Sequence, residues 1–301
     1  MAPPEQNAPG SKMPPDIQKT ETQMSNSINT NSGALIALQN LNMTASELQT
    51  TQNRISTGLT VSSAKDNGAI WGIAQNSRAT ISGLDAVKQS LQRVQSTVDV
   101  AVSAGQTVSD LLNQIKAKTL AGADTSLDQT SRTALGNDVS ALVAQITRIT
   151  SNADFNGTNL VKAGATAVAA LASGGSGTPN VLTVAAADLS LTATGLGVAV
   201  ATPTFTTATL AGTYLTAVNT AITSANSKVA TLGTASNALT THLNFVSSLQ
   251  DTLTQGVGNL VDADVAKESA NLTALQTKQQ LGVQALSIAN SSKSGLLGLF
   301  R

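Results

Sequence analysis

The sequence predicts a mainly α protein, a long antiparallel helical rod or coiled coil formed by pairing of the N- and C-terminal segments, with a small β-containing region in the middle. Three observations carry this. Apolar residues recur in alternating steps of three and four through both ends of the chain, the spacing that keeps them on one stripe of a helix. Aromatics are only 2% of the 301 residues, so Leu, Ile, Val and Ala must do the filling that rings usually do. Between Lys162 and Lys228 the one charged residue is Asp188, a sharp break in character.

Taken in order, residues 1–24 hold Pro3, Pro4, Pro9, Pro14 and Pro15 and hardly an apolar side chain. They read as a disordered leader or a non-native extension, with Met24 as the natural start. A first helix follows from Ser27, striped by Leu38, Leu41, Ala45, Leu48, Gln52, Ile55 and Leu59, and ended by Gly58 and Ser62-Ser63. A longer stripe runs through Leu84, Val87, Leu91, Val94, Val98, Ala101, Gly105, Val108, Leu112 and Ile115 without a proline. Its length exceeds the usual globular helix of about 11–12 residues and points to a rod. Gly122 and Asp124-Thr125-Ser126 close it. Ser126 or Asp128 then caps a third helix carrying Leu135, Val139, Leu142, Ile146 and Ile149, which stops near Asn156-Gly157.

In the middle, Thr183, Val184, Leu189, Leu191 and Thr192 indicate short strands, broken by the Gly174–Pro179 run. Helical spacing returns at Leu215 and continues through Val218, Ile222, Ala225, Val229, Leu232, Ser236, Leu239, Leu243 and Val246, with Gly256 and Gly258 as an interruption. A last helix carries Val265, Leu272, Leu275, Gln279, Gly282, Leu286, Ala289 and Leu296, with Asp262 and Asp264 at its start, where carboxylates favour the helix dipole. Neither terminal helix can bury its stripe alone, and isolated helices are marginal in water. The economical solution is for the two ends to meet, which folds the chain back on itself.

The inventory leaves little room for catalysis. With no cysteine, disulfides, thiolate nucleophiles and Cys-ligated metals are all excluded. His242 is the only histidine and is expected to be a partly exposed structural residue. Asp262 and Asp264 are explained by a helix start. Gly195-Leu196-Gly197 and Gly256-Val257-Gly258 are read as turns, not phosphate loops. Trp71, between Ile70 and Ile73, is expected to be a buried anchor at a domain junction. No cofactor or metal is expected, and no enzymatic activity. A formal net charge of +0 gives no footprint for nucleic acid. No run reaches the roughly 18 apolar residues of a membrane span, and no basic region followed by an apolar stretch marks a cleavable signal peptide.

Two stretches resemble a known family. The first is Ile28-Asn29-Thr30-Asn31, then Arg54-Ile55-Ser56-Thr57-Gly58-Leu59 and Ser63-Ala64-Lys65-Asp66-Asn67 with Gly68-Ala69. The second is Gly258-Asn259-Leu260-Val261-Asp262-Ala263-Asp264, on to Gln279-Gln280-Leu281-Gly282 and the Leu-Phe-Arg ending. These are similar to the two end signatures of bacterial flagellins, and Ala69-Ile70-Trp71 resembles the alphaproteobacterial type. The resemblance covers roughly residues 24–160 and 213–301.

It implies a structural subunit that polymerises into the flagellar filament for swimming motility. Residues 25–65 and 258–301 would form the terminal coiled-coil domain, 66–160 and 213–257 a helical rod domain, and 161–212 a variable outward-facing region. Leu38, Leu41, Leu48 and Ile55 would pair with Leu272, Leu275, Leu286 and Leu296, with Phe300 at the end. The implied partners are the chain itself, a flagellar export chaperone at the C-terminal segment, and the filament cap and hook–filament junction proteins. Localisation would be extracellular, through export without a cleaved signal. The alternatives are a hook–filament junction protein or a surface-displayed homologue acting as an adhesin. Gln114 and Ala117 stand where enteric flagellins carry the Arg and Glu read by a Toll-like receptor, which implies weak receptor activation.

Overall fold

The computed structural model describes residues 30–174, 180–197 and 203–298, the last seven as backbone alone. The leader 1–24, Ile28, Asn29 and Phe300 therefore lie outside the described residues. Among the described residues, five helices and one hairpin follow in chain order: α1 Ser32–Thr57, α2 Gly68–Gly122, α3 Gln129–Asn152, β1 Val168–Leu171, β2 Val181–Val184, α4 Ala208–Val261 and α5 Val265–Gly298. The described residues separate into two compact units, divided after residue 71 and before residue 260, the first formed by the two ends of the chain and the second by the stretch between.

In the first unit the two ends of the chain pair, α1 lying antiparallel along α5. Asn31 caps α1, its Oδ1 accepting from Ala34 N at 3.1 Å, and Gly58 ends it in the left-handed conformation at φ 70°. Asp264 caps α5, accepting from Ala266 N and Lys267 N. Where the helices turn away from each other, an antiparallel bridge joins Leu59 to Asp262.

In the second unit α2 and α4 run antiparallel, tied by Gln250 to Asp85, Gln95 to Ser236 and Ser109 to Asn226. The expected stripe of α2 from Leu84 to Ile115 is buried, and it meets Val218, Ala225, Leu232, Leu239 and Val246 of α4 in one continuous core. Gly105 lies at the closest approach: a Cβ there would stand 2.5 Å from Val229 Cγ2. The third helix folds back beside α2, with Lys118 Nζ 2.6 Å from Asp138 Oδ2, and buries Val139, Val143 and Ile146. Its expected cap is Asp128, which accepts from Ser131 N.

A side chain that the sequence did not flag closes this corner. Arg132, only 7% exposed, donates Nε to Gly122 O at 2.8 Å and Nη2 to Asp124 O and Leu127 O at 2.7 and 2.9 Å. One guanidinium thus serves three carbonyls at the end of α2 and in the following turn, where Asp124 O otherwise accepts only from Leu127 N at 3.4 Å.

The middle of the chain enters the same core. β1 and β2 pair antiparallel with Val168 opposite Val184 and Leu171 opposite Val181. Ser90 Oγ accepts from Leu171 N, and His242 Nε2 donates to Ala172 O at 2.8 Å, which fixes that nitrogen as the protonated one. His242 is half-buried and structural, as expected. Leu189 and Leu196 are fully buried, and Lys228 Nζ reaches Asp188 O and Gly195 O at 2.6 and 2.9 Å.

Three expectations need correction. Leu189, Leu191 and Thr192 are not strand: they belong to a turn-rich loop in which Asp188, Ser190, Thr192 and Thr194 hydrogen-bond one another. Gly256-Val257-Gly258 is not a turn, because α4 runs through it to Val261. Val257 between the glycines and Val261 one turn on are buried, and their packing offsets the roughly 1 kcal/mol that each helical glycine costs. Trp71 is half-buried and not a fully buried anchor.

Candidate functional site

The site implied by the sequence is the seam between α1 and α5. On α1 the less exposed positions are Ala34, Ala37, Leu41, Thr44, Leu48, Thr51 and Ile55, with Arg54 beside the last. On α5 they are Glu268, Leu272, Leu275, Gln279, Gly282, Leu286 and Ala289. Both sets advance in alternating threes and fours, the pattern of two helices packed side by side.

The seam holds six of the expected pairing residues: Leu41, Leu48 and Ile55 on α1, and Leu272, Leu275 and Leu286 on α5. Leu38 is a correction, since it is 43% exposed and lies off the seam. Ala45 and Gln52 are likewise exposed, and the buried members of α1 are Thr44 and Thr51. Thr44 can be buried because its hydroxyl donates to Asn40 O one turn back. Leu296 lies in α5, with its side chain outside the described part.

Close fit and polar contacts fix how the helices meet. A Cβ on Gly282 would lie 3.2 Å from Leu41 Cδ1, so the missing side chain lets the leucine in. Asn31 Nδ2 donates to Ala289 O at 2.8 Å, so one residue both caps α1 and holds α5. At the other end, Arg54 Nη1 is 3.2 Å from Glu268 Oε1, and the Glu268 side chain is only 11% exposed. Lys278 and Glu47 approach to 4.0 Å on the exposed flank.

The remaining motif residues build the connector to α2. Asp66 Oδ2 accepts from N and Oγ of both Ser62 and Ser63, at 2.9 to 3.2 Å. These bonds, led by the Ser62 hydroxyl, hold the exposed carboxyl below its usual 3.8. Asn67 Oδ1 accepts from Ala69 N and Ile70 N and so caps α2. Ala64 is an exposed position of the turn between them, and Gly58 N donates to Arg54 O. Thr30 lies just ahead of the Asn31 cap.

Away from the seam, α1 and α5 expose several large apolar side chains among polar ones. Leu35, Ile36 and Met43 on α1 and Leu281, Val283 and Ile288 on α5 are all at least half exposed. Exposed hydrophobic surface of this kind marks an interaction site. A groove of about 560 Å³ runs between Ile36, Ala37, Leu281 and Gly282. Among the described residues no helix is long and apolar enough to cross a membrane, and no group of three or more His, Cys, Asp or Glu residues could hold a metal ion. The arrangement offers surface for association and little for chemistry.

Comparison with known proteins agrees with this geometry. A model of the bacterial flagellin N-terminal helical region matches residues 28–166, and one of the C-terminal helical region matches residues 215–300. Flagellin FljK of Caulobacter vibrioides is 55% identical over 278 residues, covering 92% of this chain and 99% of that protein. A flagellin of Brucella melitensis is 41% identical, with 91% and 99% covered. Flagellin C of Rhizobium meliloti is 34% identical over the same shares.

Proposed function

Because the chain belongs to the bacterial flagellin family, of alphaproteobacterial type, we propose that its paired ends are the part through which it polymerises. The protein is a structural subunit of the extracellular flagellar filament and serves swimming motility. The observation that carries the assembly reading is the α1–α5 pair: its seam is closed by side chains of one chain, while Leu35, Ile36, Met43, Leu281, Val283 and Ile288 stay open to solvent. Each is half to two-thirds exposed, so covering it gains roughly that share of the about 1.5–3 kcal/mol that full burial is worth, and neighbouring copies are the natural source of cover. Folding of the ends is then completed by assembly.

On this reading residues 25–65 and 258–301 act as the polymerising domain, 66–160 and 213–257 as the rod, and 161–212 as the outward region. An export chaperone that receives the C-terminal segment, a filament cap and hook–filament junction proteins are the further partners. Export proceeds without a cleaved signal, and the chain's role is structural, not catalytic. With Gln114 and Ala117 exposed on α2, purified monomer gives little Toll-like receptor response.

The test is seeded assembly followed by electron microscopy. Wild-type chain should extend short filament seeds, and chain lacking residues 258–301 should not. Leu41→Asp and Leu286→Asp should lose filaments while circular dichroism still reports the helices of the second unit. Filaments persisting in either variant would overturn the assignment of the seam.

A further inference from the structure

The heptad repeat of the apolar seam does not by itself define the register. Leu41, Leu48 and Ile55 repeat every seven residues on α1, and so do Leu272, Gln279 and Leu286 on α5. Sliding one helix by a heptad, about 10 Å at 1.5 Å per residue, returns seam residues to seam residues. The Leu41–Gly282 fit favours the native pairing, but the repeating leucines leave the two nearest slips as competitors.

The charges do separate them. Across its whole length α1 carries only Glu47 and Arg54. Both face opposite charges on α5, Arg54 against Glu268 at 3.2 Å and Glu47 against Lys278 at 4.0 Å. α5 also carries Lys267 and Lys293, but the two residues that face α1, Glu268 and Lys278, are of opposite sign, as are Glu47 and Arg54. A slip of one heptad in one direction therefore brings Arg54 opposite Lys278, and in the other direction brings Glu47 opposite Glu268. We infer that Glu47, Arg54, Glu268 and Lys278 form a charge code that specifies the antiparallel register of α1 and α5, rewarding one alignment and placing like charges in both neighbouring ones. Paired helices use flanking charges in this way to choose partner and alignment. The Glu47–Lys278 pair adds little stability, being exposed, but alignment needs only a difference between competing states.

The main-chain bridge at Leu59 and Asp262 acts in the same direction from one end of the pair. Charge reversal leaves that bridge untouched and so distinguishes the two. The absence of native cysteine makes the readout clean. In the native register a Cβ on Gly282 would lie 4.0 Å from Leu41 Cβ, inside the roughly 3.5–4.5 Å span of a disulfide. Leu41→Cys with Gly282→Cys thus reports the native alignment. Leu41→Cys with Ala289→Cys, or with Leu275→Cys, reports the two slips.

The experiment measures disulfide formation by oxidised glutathione at these three pairs in the full chain. Glu268→Lys with Lys278→Glu should slow cross-linking at 41/282 by about tenfold, the ratio that about 1.4 kcal/mol produces, and raise it at 41/289 or 41/275. Adding Glu47→Lys with Arg54→Glu should return it to 41/282. Unchanged cross-linking at 41/282 in the first variant overturns the inference and assigns the register to the bridge. Loss at 41/282 with no gain at either slipped pair also overturns it, leaving the charges as stabilisers only.

Discussion

Replacing a helical glycine by alanine usually stabilises a protein, and Gly105 is a place where it should do the opposite. Alanine is better than glycine in a helix interior by about 1 kcal/mol, and α2 is otherwise regular around residue 105. The gain is opposed by a collision, because the new methyl would stand 2.5 Å from Val229 Cγ2 and 3.2 Å from Leu189 Cδ1. Val229 is β-branched and sits in mid-helix, so its rotamer is close to fixed. The two backbones must part instead, at the cost of about 1–3 kcal/mol for an overpacked core. The expected net is a loss of up to about 2 kcal/mol, a fall in melting temperature of up to roughly 8 °C for a unit of this size.

Gly233 in α4 provides the control. A Cβ there meets nothing within 4 Å, so Gly233→Ala should raise the melting temperature by about 2–4 °C. Thermal melts followed by far-ultraviolet circular dichroism measure both. Val229→Ala combined with Gly105→Ala should recover part of the loss, giving a coupling energy of the size found for residues in contact. Shifts of the same sign at positions 105 and 233, or no coupling with Val229, would refute the close approach of α2 and α4.

Arg132→Met keeps the length of the stem and removes the donors, leaving Gly122 O buried and unpartnered; about 2–4 kcal/mol of stability should go, read as a drop in the denaturant midpoint. Tyr214 is the only tyrosine, and burial beside Phe205 pushes it up to about 12. Its raised value means that its contribution to stability is whole below 10 and fades as the pH climbs from 10 towards 12; absorbance titration at 295 nm should show one late transition, which Phe205→Ala moves towards 10. Asp66 works with the reverse sign. Its carboxyl is depressed below 3.8, so the support it gives Ser62 and Ser63 is present above that value and lost as the pH falls through the lowered one. Amide chemical shifts of Ser62 and Ser63 should follow that acid transition, and in Asp66→Asn they should not.

Much of the helical plan was legible because its signals are local. Asp128 and Gly58 act where cap chemistry puts them, and the α2 stripe needed only its spacing. The α1 seam was read one position off, through Leu38, Ala45 and Gln52. Steps of three and four fit two adjoining stripes, and choosing by side-chain size misleads when a narrow seam takes alanine and back-bonded threonine instead. Arg132 gave no signal, because its three acceptors come together only once α3 folds onto the end of α2. The strands around Leu189 were misplaced for a related reason. Burial there comes from α2 and α4 beneath the loop, and an apolar residue buried by tertiary packing looks in sequence like one buried in a sheet.

That loop has a consequence for anyone wishing to exchange the middle of this chain for another sequence. Leu189 and Leu196 fill sites in the core of the second unit, and Lys228 holds the backbone above them. A graft spanning 185–197 leaves two leucine-sized voids, each costing about 2–5 kcal/mol, and strands an ammonium group on α4. A donor sequence therefore has to arrive with two apolar plugs about seven residues apart and a pair of carbonyls between which a lysine can dock. The exposed Asn156-Gly157 turn makes no such demand, and it is the place to add foreign sequence first.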